Sequence, residues 1–159
     1  MTAVEVAETT TQIIGAADIK YPPITSSLTE SPSVVYIDGR VQPPWLAAVI
    51  GRIDELMSLD PEWDGGTGTP VRSADALDAL EFLRAVMTDD IEPPWIAPLV
   101  TGGLELSWRR PDLEVEAVFD GTRDDQIVLV TDHGEDWDAP PYQAVPLFRA
   151  FAGRLRVAE

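Results

Sequence analysis

Residues 63–87, WDGGTGTPVRSADALDALEFLRAVM, join a glycine-rich turn to an amphipathic helix, and recognisable elements lie on both sides of them. Gly65, Gly66 and Gly68 permit the positive φ angles and close backbone approach of an irregular turn. Ser73 is predicted to be the helix N-cap, and Asp75 suits the positive end of the helix. Apolar residues then recur at three- and four-residue steps, which indicates one buried helix face: Ala76, Leu77, Leu80, Leu83, Val86 and Met87.

The flanking segments predict two more helices and a sheet. An apolar stripe after Pro43-Pro44 predicts a helix to about Met57, and a second stripe predicts a helix from about Val145. Strict alternation over residues 104–108 and 113–119 predicts a hairpin with one buried face, and residues 127–130 supply a third strand. Residues 131–141 are interpreted as an acidic loop. The fold class is therefore α+β, with a three- to four-stranded antiparallel meander packed on one face by about three helices.

The first 43 residues differ from the rest of the chain. They are rich in Thr, Ser and Pro and lack helical periodicity, and only residues 34–37 suggest a short strand, ended by Asp38-Gly39. We therefore predict an extended N-terminal arm over residues 1–43 and a single α+β domain over residues 44–159.

Charge and composition narrow the function. The chain has 28 acidic and 11 basic residues and a net charge of −17. Such a field repels nucleic acid and anionic lipid and attracts basic proteins; a purely solubilising role for the acidity is the alternative. The absence of cysteine excludes disulfides and thiolate chemistry. No basic, apolar leader opens the sequence and no stretch reaches about 20 apolar residues, so a cytoplasmic protein is expected.

The order of several short motifs resembles a family of small, uncharacterised bacterial proteins that often travel on mobile elements. The motifs are W-D-G with a following proline, P-x-x-x-P, G-G-L-x-L-x-W and a closing D-G, here Trp63, Asp64, Gly65, Pro70, Pro94, Pro98, Gly102, Gly103, Leu104, Leu106, Trp108, Asp120 and Gly121. The likeness covers about residues 46–130, and Glu62 replaces the glycine that commonly precedes W-D-G. The resemblance implies a shared α+β fold and brings no activity or cofactor with it.

The sequence contains three kinds of candidate site. The glycines of residues 65–70 suggest a phosphate loop, but no lysine follows and acidic residues surround them, so a structural turn is the better interpretation. A weak metal site is conceivable in the acidic loop, at Asp132, His133, Glu135, Asp136 and Asp138; a solvated loop is the alternative. Candidate partner-binding residues are Tyr21, Glu62, Asp64, Trp95 and Trp137. No G-x-S-x-G elbow or other catalytic motif is present, and no cofactor is expected.

These patterns leave three hypotheses. The first is a non-enzymatic module that binds a basic protein, as an inhibitor, antitoxin or immunity protein does, in its strongest form as a nucleic-acid mimic. The second is a structural or assembly protein of a phage or mobile element, whose arm over residues 1–43 ties copies together. The third is a metal-dependent enzyme centred on the acidic loop.

Overall fold

The computed structural model describes residues 36–37 and 40–157. The chain divides into two units, residues 1–42 and 43–159, and each is described here by itself. In the first unit, strands β1 (Tyr36–Ile37) and β2 (Arg40–Val41) pair antiparallel, which places a strand at the end of the predicted residues 34–37. Residues 1–35 of the predicted arm, including Tyr21, and the predicted turn pair Asp38-Gly39 lie outside the described residues.

Three helices form one layer of the second unit. They are α1 (Pro44–Met57), α2 (Ser73–Val86) and α3 (Pro141–Phe151), and a short 3₁₀ turn, Ala152–Arg154, follows α3. In α1 the predicted stripe is buried, at Trp45, Leu46, Val49, Ile53 and Leu56. None of the helices in the described ranges is long and apolar enough to cross a membrane.

Five antiparallel strands form the other layer, in sequential order: β3 (Trp95–Pro98), β4 (Leu104–Arg110), β5 (Leu113–Phe119), β6 (Ile127–Asp132) and β7 (Glu135–Ala139). The α+β class and the meander are confirmed, whereas the expected three to four strands are too few. The prolines around β3 are compatible with its place at the sheet edge, where a missing amide breaks no central ladder.

The expected acidic loop over residues 131–141 is wrong, because most of it is the hairpin of β6 and β7. His133 and Gly134 form a two-residue connection between the paired Asp132 and Glu135. Their φ angles are 49° and 83°, as a type I′ hairpin turn requires. The many acidic residues led us to expect a loop. The strand could have been predicted from Trp137 and Ala139, which alternate with Asp136 and Asp138.

Two helix starts also differ from expectation. Ser73 is the first residue of α2 and not its cap; Arg72 occupies the cap position, and no side chain caps the helix there. Helix α3 begins at Pro141 instead of near Val145. A proline at the first helical position needs no hydrogen-bond partner for its nitrogen, so the Pro140-Pro141 pair starts the helix, and Pro146 is accommodated within it.

The helices cover one face of the sheet. Aromatic rings meet there: Phe148 lies 6.0 Å from Phe82 and 4.9 Å from Trp108, between ring centroids, and Phe82 lies 5.9 Å from Phe119. The Trp108 indole also donates a hydrogen bond to the Glu92 carbonyl at 2.9 Å. This contact satisfies the polar end of a buried ring, as predicted for a tryptophan on the core face.

Candidate functional site

The turn before α2, the β3–β4 turn and the turn after β5 meet at one junction between the helices and the sheet. The turn before α2 contacts the β3–β4 turn through Thr69, whose amide donates to the Val100 carbonyl at 3.0 Å. The Arg72 amide likewise donates to the Gly102 carbonyl at 2.8 Å. A side chain at Gly102 would lie 2.7 Å from Thr69 Oγ1, so glycine is required for this approach. Gly102 therefore has an architectural role at this junction.

The Asp64 carboxylate fills the part of the glycine turn where a phosphate would bind. Its Oδ1 accepts the amide of Gly66 at 2.9 Å and that of Gly68 at 2.7 Å. These amide hydrogen bonds, led by Gly68, lower the pKa of Asp64. An anion in the turn would have to displace this carboxylate and lie beside its charge. The geometry favours the structural turn over a phosphate loop.

Glu62 belongs to the same turn through its backbone. Its amide donates to the Gly68 carbonyl at 2.6 Å, and its carbonyl accepts from the Gly65 amide at 2.8 Å. Its φ of 65° is in the left-handed region that glycine adopts freely and that other residues adopt rarely. The Glu62 side chain is exposed, whereas the Asp64 carboxylate is used within the turn.

A buried carboxylate, Asp75, joins this junction to the turn after β5. It is 1% exposed. Asp75 Oδ2 accepts from Arg72 Nε at 2.6 Å, and its Oδ1 accepts from the Gly121 amide at 3.0 Å. Arg72 also donates to Asp120 at 2.7 Å, and these carboxylates raise the pKa of the guanidinium, Asp75 most strongly. The sequence suggested only a favourable helix-end charge for Asp75 and assigned no role to Arg72.

The second candidate surface is the face of the sheet away from the helices, which we call the open face. Strand register assigns residues to it, because cross-strand partners share a face and alternate residues point to opposite faces. Its members are Trp95, Ala97, Glu105, Ser107, Arg109, Glu114, Glu116, Val118, Ile127, Leu129, Thr131, Asp136 and Asp138. All except Ser107 are exposed or half-buried.

The open face is mainly acidic. It carries five carboxylates and one arginine, Arg109, whose guanidinium pairs with Glu114 at 2.5 Å and Glu116 at 3.4 Å. Burial raises the pKa of Glu105, and the neighbouring charge of Glu116 raises it further. The ionised form of Glu105 is therefore disfavoured in the unbound protein, first by burial and then by the charge of Glu116.

The two candidate tryptophans lie on opposite faces of the sheet. Trp95 is 72% exposed and belongs to the open face, beside a cleft of about 420 Å³ that Ser107 and Arg109 help to line. Trp137 points to the helical face and packs against Phe151, with 5.9 Å between ring centroids. Trp95 is therefore placed to contact a partner together with the open-face carboxylates.

The hairpin distributes the metal candidates instead of gathering them. Asp136 and Asp138 belong to the open face, whereas Asp132 and Glu135 project to the other face. Asp132 Oδ1 pairs with the Arg154 guanidinium at 2.6 Å, and His133 Nε2 lies 3.7 Å from the same oxygen. Within residues 42–157, no three side chains of His, Cys, Asp or Glu are grouped so that they could hold a metal ion.

Comparison with known proteins gives no match among protein-family models, curated proteins or solved structures. The resemblance in the sequence thus stays a prediction, and the function has to be inferred from the geometry of the chain itself.

Proposed function

We propose that the chain is a non-enzymatic, acidic protein-binding module that uses its open face to dock a basic protein, in the manner of an inhibitor, antitoxin or immunity protein. The observation that supports this most is the sheet face that none of the described helices covers, with five carboxylates, one arginine and an exposed tryptophan at its edge.

Charge complementarity indicates the chemistry of the partner. A basic protein would relieve the repulsion between Glu105 and Glu116, whereas an acidic partner or a nucleic acid would increase it. The net charge of −17 also draws a basic protein from a distance and accelerates association at low ionic strength.

Apolar contacts would supply the part of the affinity that charge does not. Val118, Ile127 and Leu129 form an apolar patch on strands β5 and β6 of the open face, and their cross-strand partners include Glu105, Glu116 and Asp138. Trp95 offers a large and rigid surface at one edge, the kind of side chain that dominates interface energetics. A partner that buries this apolar patch would also exclude water from the ion pairs that it forms with the neighbouring carboxylates, which strengthens those ion pairs.

The alternatives predict different behaviour. A nucleic-acid mimic would bind a basic nucleic-acid-binding protein, and DNA or RNA would compete with it. An assembly protein would depend on residues 1–43 and would self-associate. A metal-dependent enzyme would release or absorb heat when titrated with calcium, magnesium or manganese.

The proposal is tested by capture from a lysate of the native host with three immobilised chains. They are the natural chain, an open-face variant (Glu105→Gln, Glu116→Gln, Asp138→Asn) and an off-face variant (Asp60→Asn, Asp89→Asn, Asp124→Asn). Both variants lose three negative charges, and the off-face positions are exposed and outside the strands. We expect one basic protein to elute with rising salt from the natural and off-face chains only. Equal capture by the open-face variant would refute the proposal.

A further inference from the structure

A second cavity lies on the helical side of the sheet, between α2, α3 and the loop that joins β5 to β6. It has a volume of about 280 Å³. Its walls include the rings of Phe82 and Phe119 and the side chain of Val145, and Tyr142, which is 70% exposed, lies at its margin. The open face does not contribute to it.

One side of this cavity holds two carboxylates that already bind a guanidinium. Arg123 donates to Asp78 at 3.2 Å and to Glu81 at 3.0 Å. The Arg123 side chain is 70% exposed, so these ion pairs are weak and exchange readily with solvent. Two carboxylates facing one guanidinium leave an uncompensated negative charge at the cavity.

A buried amide fixes the deeper carboxylate. Gln126 is 6% exposed, and its Nε2 donates to Asp78 Oδ2 at 2.7 Å. The other oxygen of Asp78 is the one that Arg123 contacts. Asp78 is thus oriented by a buried partner and keeps one oxygen for a group that enters from solvent.

We propose that this cavity binds a guanidinium group carried on a short apolar chain, and that Arg123 occupies the carboxylates until such a ligand displaces it. A planar guanidinium can bond to both carboxylates as Arg123 does, and its apolar chain would contact the aromatic walls. This site needs no macromolecule on the open face, so it stands or falls independently of the proposed function.

The test compares n-butylguanidine with n-butylurea, which has the same shape and no charge. Binding is followed by the ¹⁵N–¹H chemical shifts of Ala85 and Val145 in the folded full chain. We expect butylguanidine, and not butylurea, to produce saturable shifts. Equal shifts with both compounds, or no shift with either, would overturn the proposal.

Two variants isolate the role of Arg123. Arg123→Ala should bind butylguanidine about 5-fold more tightly, because a competing exposed ion pair is removed. Arg84→Ala removes the same charge from α2 outside the cavity and should change the affinity less than 2-fold. Equal gains in the two variants would mean that overall charge, and not displacement of Arg123, controls binding.

The carboxylates are tested by Glu81→Gln, whose position is exposed enough to leave folding intact, and by Asp78→Asn. Both should weaken butylguanidine binding by at least 5-fold, and unchanged affinity in both would refute the site. A guanidinium could come from a free metabolite or from an arginine of a protein. Acetyl-Gly-Arg-Gly-amide binding more tightly than butylguanidine would support a protein source, and weaker binding would support a free compound.

Discussion

Arg72 Nε lies 2.6 Å from Asp75 Oδ2, and this contact joins the start of α2 to the two turns that flank the sheet. Asp75 reaches the Gly121 amide, while Arg72 reaches the Thr101 carbonyl and the Asp120 carboxylate. One ion pair therefore holds together the β3–β4 turn, the β5–β6 turn and a helix. It thereby anchors the start of α2 to the two turns at this end of the sheet.

Arg72→Ala should lower the free energy of unfolding by about 3 kcal/mol, near the lower end for breaking a buried ion pair. The Asp75 carboxylate would stay buried without its cation, but the Arg72 side chain is 46% exposed, so water replaces part of the lost interaction. Urea unfolding at pH 7 measures the change. Arg84→Ala, an exposed arginine on the same helix, should change stability by less than about 0.5 kcal/mol. Similar losses in both variants would remove the special role of the pair.

Gly102→Ala should destabilise the protein more than Gly134→Ala. Both glycines have positive φ angles, 89° and 83°, so both variants incur about 1–2 kcal/mol of backbone strain. Only at Gly102 would the new Cβ also meet Thr69 Oγ1 at 2.7 Å and the Pro70 carbonyl at 3.1 Å. Thermal or urea unfolding of the two variants separates steric contact from strain, and equal losses would show that the close approach is unimportant.

The glycine turn should loosen in acid as Asp64 is protonated. Its pKa is lowered in the folded protein, so the unfolded chain binds this proton more readily. The stabilising contribution is complete above the unfolded pKa of about 3.9 and is lost as pH falls through the folded value. Carboxyl ¹³C titration by NMR should give a pKa below that of a model aspartate. A normal pKa would contradict the hydrogen bonds to Gly66 and Gly68.

Glu105→Gln should stabilise the unbound protein at neutral pH. The raised pKa of Glu105 means that the folded state holds this proton more strongly, so stability falls as pH rises from the unfolded pKa through the folded one. Glutamine removes that penalty. The free energy of unfolding of both chains is measured at pH 4 and pH 7. The gain in stability of the variant over the natural chain should be larger at pH 7. A larger difference at pH 4 would reverse the assigned direction.

Docking of a basic protein on the open face should release protons from Glu105. A nearby positive charge lowers the pKa of this carboxyl, so a proton held near its folded pKa is lost on binding. Calorimetry at about pH 5 in two buffers of different ionisation enthalpy measures the number of protons. The Glu105→Gln variant is the control and should release fewer. Identical proton release by both chains would place the partner elsewhere.

Periodicity was sufficient to predict the elements with a clean apolar stripe or alternation. Helix α1 and the β4–β5 hairpin follow it closely, since one face of each is buried. Strand β7 was not predicted, because it is an edge strand whose residues are mostly exposed and acidic and therefore show no clear apolar–polar alternation. The start of α3 was predicted too late, because Pro146 lies inside the helix and proline normally indicates a helix end or start.

The site was harder to predict, because its residues are distant in the sequence. Arg72 and Asp120 are 48 positions apart, and no local pattern indicates that they meet. The open face depends on the register of five strands, which places Trp95 with Glu116 and separates it from Trp137. The composition showed the acidic excess, but it could not show that five of the carboxylates lie together on the open face.

The measurement that tests the account most directly is the dissociation constant of the captured basic protein for the open-face and off-face variants. It is made by calorimetry at 50 and 200 mM salt, with circular dichroism to verify folding. We predict at least a 10-fold weaker complex for the open-face variant, a change below 2-fold for the off-face variant, and weaker binding of the natural chain at the higher salt. Equal affinities of the two variants, or affinity independent of salt, would contradict docking on the open face.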